Sequence, residues 1–108
     1  MKKRGVRGSR TGRPIMAALD LLGRRWALRV LWELSQADAP LTFRALQERC
    51  ADVSSSVLAT RLRELRDAQV VARSAGGYAL SDLGQSLLER LAPLQAWADD
   101  WADAQRPA

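Results

Sequence analysis

Four side chains in the stretch SSSVLATRLRELRDA at 54–68, namely Ser55, Ser56, Thr60 and Arg63, have types and spacing that could do recognition chemistry. Read at a helical period, Leu58, Leu62 and Leu65 fall on one side with Val57 at its edge, while Ser56, Thr60, Arg63 and Asp67 project from the other. Short hydroxyls and a guanidinium on one polar face can meet phosphate oxygens and base edges in a DNA major groove. Ser54 is a suitable N-cap, and the helix start behind it offers backbone N–H groups to an anion. Arg63 is the expected base reader, because a guanidinium pairs bidentately with guanine. Arg61 lies nearer the buried flank, where it suits a phosphate contact or a brace on the helix better than a base. An ordinary amphipathic surface helix has the same pattern, and what tips the reading is the sequence around it.

The chain of 108 residues carries a formal charge of +5, and six of its cations fall within the first thirteen residues, which leaves −1 for the remainder. The basicity is therefore an arm. MKKRGVRGSRTGR has three glycines and almost nothing to bury, so residues 1–13 are expected to be disordered in the free protein, and residues 14–108 to form one domain. No amphipathic apolar face accompanies the arm, which favours nucleic acid over a membrane as its polyanion, with Lys2, Lys3 and Arg4 as backbone contacts. One cysteine excludes an intramolecular disulfide framework. The apolar core of a secretory signal and any run of about twenty apolar residues are both missing, so the expectation is a cytoplasmic protein with no membrane partner.

The elements that must position the polar face follow in order. Pro14 suits a first helical position, and Ile15, Met16, Leu19 and Leu22 give a short helix an apolar face ending at Gly23. A second helix, about Arg25 to Ser35, is apolar nearly all round except for Arg25, Arg29 and Glu33, and is expected to be the hub of the core. Asp38 and Pro40 turn the chain, and Leu41 is a candidate for a very short strand. Thr42 caps a third helix whose buried stripe is Phe43, Leu46 and Cys50; Thr42 and Arg44 are phosphate candidates. On that stripe Cys50 reads as a small core residue. Ala51, Asp52 and Val53 then form the short link to the stretch at 54–68, a helix–turn–helix connection.

Beyond it, Val70 to Ala72 and Tyr78 to Leu80 read as two strands joined by a tight turn at Gly76 and Gly77, with Arg73 placed to touch phosphate. Ser81 caps a last helix of some twenty-five residues, kinked near Pro93, with Leu83, Leu87, Leu91, Leu94, Ala98 and Trp101 in one stripe and Trp97 beside it. That helix exceeds what a small domain needs to close its own core. Its surplus implies a partner surface, most simply a second copy, with Leu19, Leu22, Leu94, Trp97 and Trp101 at the contact.

The runs PIMAALDLLGRRWALRVLWEL, LTFRALQERCADVSSSVLATRLRELRDAQVVAR and YALSDLGQSLLERLAPLQAW together resemble the HxlR-type winged-helix transcriptional regulators, relatives of the MarR group, over about residues 14–101. The S-x-x-V-L-x-x-R-L-R-E-L stretch and the Y-x-L-[ST]-x-x-G opening of the last helix stand in that family's order and spacing. The resemblance implies a mainly α fold with a small β-hairpin, a winged helix–turn–helix with a long C-terminal dimerisation helix, and a homodimer that reads two half-sites of double-stranded DNA. Three departures accompany it. Where some members carry a thiol sensor just before the opening proline, this chain has Arg13; the wing is short; and Ser56 and Thr60 replace residues often found as lysine or glutamine.

The expected function is therefore a sequence-specific transcriptional regulator, a repressor more than an activator, acting as a homodimer on a pseudo-palindromic site. The alternative is a protein-interaction module on a winged-helix fold with vestigial DNA binding. With no histidine, one buried-pattern cysteine and scattered carboxylates, no catalytic or metal constellation can be assembled, and no cofactor is implied. A small-molecule effector is left open; a cavity at the dimer interface near Trp26, Trp32 and Trp97 would be the place to look for it.

Overall fold

A proline at the first position, with φ already set for a helix, opens α1 (Pro14–Leu22), and the computed structural model describes residues 13–107 from there onward. The order continues with α2 (Ala27–Gln36), α3 (Phe43–Cys50), α4 (Ser55–Asp67), β1 (Val71–Ser74), β2 (Gly77–Leu80), α5 (Asp82–Leu91) and α6 (Pro93–Ala104). Hydroxyl caps define the starts of α3, α4 and α5: Thr42, Ser54 and Ser81 accept from the N–H groups of Ala45, Val57 and Gly84. Each cap satisfies a donor that the helix start would leave orphaned, worth about 1 kcal/mol.

The core gathers Val30, Leu31 and Leu34 of α2, Leu46 and Cys50 of α3, and Leu58, Leu62 and Leu65 of α4, closed by Leu41, Val53, Val70, Val71 and Tyr78. The stretch expected to have a dry back and a polar front is thus a helix of 13 residues with its leucines inward. Helix α2 sits at the centre, but not encircled: Leu28 and Trp32 remain 41% and 36% exposed on one side. Its start also differs from expectation. Trp26 adopts φ 78°, a left-handed conformation that is costly for a bulky side chain, and the helix begins at Ala27.

The hairpin pairs Val71 with Leu80 and Ser74 with Gly77, so its two-residue turn is Ala75 and Gly76, one position earlier than expected. Gly77 belongs instead to β2. Its φ is 125°, and a Cβ there would overlap the carbonyl of Leu41. That carbonyl and the Leu41 N–H exchange hydrogen bonds with Tyr78 at 2.7 and 2.9 Å, so Leu41 does act as a one-residue third strand.

The single long helix expected at the end is two helices. Pro93 has no N–H, its ring crowds the preceding turn, and the chain turns at Ala92 before α6 resumes. The expected stripe is not continuous either: Leu87 packs on the core with Leu88 beside it, while Leu83 of α5 and Leu94, Trp97 and Trp101 of α6 are 56%, 50%, 58% and 54% exposed. At the start of α5, Gly84 is buried against the backbone of Val70, and a Cβ would collide with that carbonyl and come within 3.3 Å of Leu80. Gly84→Ala is expected to destabilise the fold by about 2 kcal/mol, overpacking outweighing the helical preference of alanine. A thermal melt should show Tm lower by roughly 10 °C; an unchanged or higher Tm would mean that α5 can slide off Val70 at no cost.

Candidate nucleic-acid interface

Helices α3 and α4 and the hairpin present their polar residues outward from the shared core. On α4, Ser56 and Arg63 are exposed and Thr60 is half-exposed, on the side opposite Leu58, Leu62 and Leu65. Arg63 makes no hydrogen bond or ion pair with another described residue, so its guanidinium is available. Thr60 Oγ1 donates to the Ser56 carbonyl at 3.0 Å, which fixes its rotamer while leaving oxygen lone pairs and a methyl outward. Ser55 departs from the group. Its Oγ accepts from Gln47 Nε2 at 3.0 Å, and the same amide nitrogen reaches the Val53 carbonyl at 3.3 Å. Gln47 is therefore the strut that holds α3 against the start of α4.

Around this face, Thr42 Oγ1 caps α3 while Arg44 points outward with no partner among the described residues. On the hairpin, the Arg73 guanidinium lies 5.3 Å from the centre of the Tyr78 ring, a cation–π contact that holds an exposed cation on β1. Lys2, Lys3 and Arg4 lie outside the described residues.

Arg61 is engaged within the protein. Its Nε donates to the Arg25 carbonyl at 2.9 Å, and its Nη1 bonds Glu64 Oε1 at 2.6 Å; the other carboxylate oxygen of Glu64 takes Arg24 Nη1 at 2.7 Å. Arg24 does not stand out in the sequence, Glu64 does so only as a letter of the S-x-x-V-L-x-x-R-L-R-E-L stretch, and Arg25 only as part of a polar stripe. The opposite charges of Arg61 and Glu64, three apart on one helix, are visible there; their partners, far upstream on the turn before α2, are not. Arg29 is a second residue of this kind, with Nη2 donating to the Arg49 carbonyl at the end of α3.

The apolar residues assigned to a partner contact divide. Leu19, Leu94, Trp97 and Trp101 are exposed, and the two tryptophan rings stack at 5.9 Å with 7° between their planes. Leu22 is half-buried against the protein's own core. A groove of about 320 Å³ lies between α2 and the α5–α6 pair, lined by Leu28, Trp32, Leu88, Leu91, Leu94 and Ala98 among others. Of the three tryptophans named for an effector cavity at a dimer interface, Trp32 lines this groove, Trp26 packs against the core and Trp97 stacks on Trp101. Cys50 is 1% exposed, and burial pushes its thiol pKa above the ordinary value, Glu33 adding to the rise and Arg29 opposing it. A protonated, buried thiol is a packing group. Among the described residues no group of three potential metal ligands is present, and no helix is long and apolar enough to cross a membrane.

Comparison with known proteins agrees with the geometry. The sequence pattern of the HxlR-like helix–turn–helix family matches residues 21–106. The HTH-type transcriptional regulator YodB of Bacillus subtilis is 31% identical over 94 residues, covering 81% of this chain and 82% of YodB. The crystal structure of quinone-bound YodB superposes with a TM-score of 0.72 at 34% identity, covering 80% of this chain and 96% of that one. A possible HxlR family transcriptional factor from Thermoplasma volcanium shares the fold, with a TM-score of 0.75 at 24% identity over 84% of this chain and 86% of the other.

Proposed function

The chain belongs to the HxlR-like helix–turn–helix family and is a DNA-binding transcriptional regulator, not an enzyme; from that premise we propose that it acts as a homodimeric repressor on a pseudo-palindromic site. The observation that carries the reading is the outer face of α4, where Ser56, Thr60 and an Arg63 with no partner among the described residues stand together above a fully packed leucine back. The packed back holds the helix in place, and the Arg63 guanidinium is not consumed by any other described residue. Arg63 is assigned to base edges in the major groove, Ser56 and Thr60 to base or phosphate oxygens beside it, and Ser55, Thr42, Arg44 and Arg73 to backbone phosphates. The arm, through Lys2, Lys3 and Arg4, follows the flanking backbone and adds to the salt dependence of binding.

Two-fold symmetry of the site follows from two-fold symmetry of the protein. What supports the dimer is the exposed apolar surface of Ile15 and Leu19 on α1 and of Leu94, Trp97 and Trp101 on α6, more than a monomeric regulator would leave in water. Paired recognition helices would then enter successive major grooves roughly 34–36 Å apart. The test is selection from a random-sequence duplex library at near-physiological salt, followed by sequencing. Recovery of a two-fold symmetric motif is the expected result. Recovery of sequence-blind, salt-sensitive binding alone would overturn it in favour of an interaction module whose basic residues hold DNA without reading it.

A further inference from the structure

We infer that Arg61 and Glu64 are positioning residues for DNA reading: together they clamp the recognition helix to the turn between α1 and α2, and Arg61 does not itself contact DNA. The inference rests on the regulator reading above and adds to it what sets the helix in place.

The contacts form one continuous unit. Glu64 is bridged by Arg61 on its own helix and by Arg24 on the turn, at 2.6 and 2.7 Å, and Arg61 reaches past it to the Arg25 carbonyl at 2.9 Å. The guanidinium thus uses Nε on the turn's backbone and Nη1 on the carboxylate, a two-point hold that a point charge cannot reproduce. The turn itself is shaped for this. Trp26 takes φ 78°, its ring packs towards the core, and the Arg25 guanidinium lies 5.6 Å from that ring. The turn is therefore anchored on the core side by a tryptophan and offers its carbonyl to α4 on the other. The leucines of α4 fix its depth, since apolar packing resists removal of the helix, while its exact rotation about the axis and its position along it call for a further, directional constraint. Directional, charge-assisted bonds on one flank supply that constraint. On the opposite flank, Gln47 holds the start of the helix through Ser55.

A clamp and a phosphate contact predict different behaviour for Arg61→Lys. Lysine keeps the positive charge and remains a good phosphate ligand, but cannot bond the Arg25 carbonyl and Glu64 with one planar fork. Under the clamp, Arg61→Lys and Glu64→Gln each weaken binding to the selected motif by about tenfold, leave affinity for a mixed-sequence duplex within about twofold, and leave the slope of log K against log salt unchanged. Under a phosphate contact, Arg61→Lys binds nearly as well as the parent, and Arg61→Gln reduces the slope on both duplexes by about 0.9 for each phosphate no longer neutralised. That pattern would overturn the inference. Circular dichroism of each variant establishes that the helices are intact, and a lower Tm with unaltered affinity for the motif would also overturn it, because a role in stability alone does not change discrimination. If the parent protein selects no motif, the regulator reading and the clamp fall together, an outcome distinct from a motif that the variants still read normally.

Discussion

A chain carrying Trp97→Asp and Trp101→Asp is expected to sediment as a folded monomer and to bind its selected duplex at least about a hundredfold more weakly than the parent, as follows when two linked half-site contacts become one. The two rings are stacked on each other and more than half exposed, so within one chain they cover little. In a symmetric dimer each occurs twice. If burial removes roughly 100 Å² of each ring from water, four rings contribute about 10 kcal/mol of gross association energy at 25 cal/mol per Å², before the cost of immobilising two molecules. Replacing them with carboxylates removes that contribution and sets the new charges among Asp99, Asp100 and Asp103 on the same helix and its symmetry mate. Sedimentation velocity reads the first effect and titration of the duplex the second. A variant that stays dimeric would move the contact elsewhere, to the groove beside Trp32 or to α1 alone.

Arg63→Ala is the second large effect expected. The arginine is exposed and makes no bond with the described residues, so the fold should not register its loss beyond about 0.5 kcal/mol. DNA affinity should fall by about 1–3 kcal/mol per half-site, with specificity relaxed at one base pair in each half and the remaining positions still read. Repeating the sequence selection with the variant measures both. An unchanged motif would mean that Arg63 faces solvent in the complex, and the interaction-module reading would gain weight, particularly if the tryptophan variant alone abolished activity in cells. The pair of variants therefore separates the two functions: one removes the reader without touching assembly, the other removes assembly without touching the reader.

Much of the scaffold is legible in the sequence because it depends on short-range rules. Helix starts at Pro14, Thr42, Ser54 and Ser81 are set by proline geometry and hydroxyl caps, and each stands within one residue of expectation. The buried stripe of α4 follows from leucine spacing, and the apolar stripe of α3 from Leu46 and Cys50. Where expectation and structure part, distant backbone overrules local chemistry. Two glycines suit a tight turn at Gly76 and Gly77, but Gly77 is required where β2 passes the Leu41 carbonyl. The glycine of the Y-x-L-[ST]-x-x-G motif is recognisable as a motif, and only packing against Val70 gives its reason. Helix α2 reads as fully surrounded because its sequence is apolar nearly all round. One apolar strip of it instead lines an open groove.

The sequence by itself determined which faces of the chain are dry and which polar, since that follows from periodicity and side-chain chemistry within a few residues. It also determined where α1, α3, α4 and α5 begin, and that serine, threonine and arginine stand together on the outer side of the helix at 54–68. Only the tertiary structure decided which of the arginines are spent and which are free. Arg61 and Arg63 are two residues apart and chemically identical, but one is bonded to a carbonyl that its own sequence neighbourhood does not contain, and the other has no described partner. The physical reason is that a guanidinium is committed by the position of acceptors in space, and those of Arg61 are brought together by the closing of the core between α2 and α4.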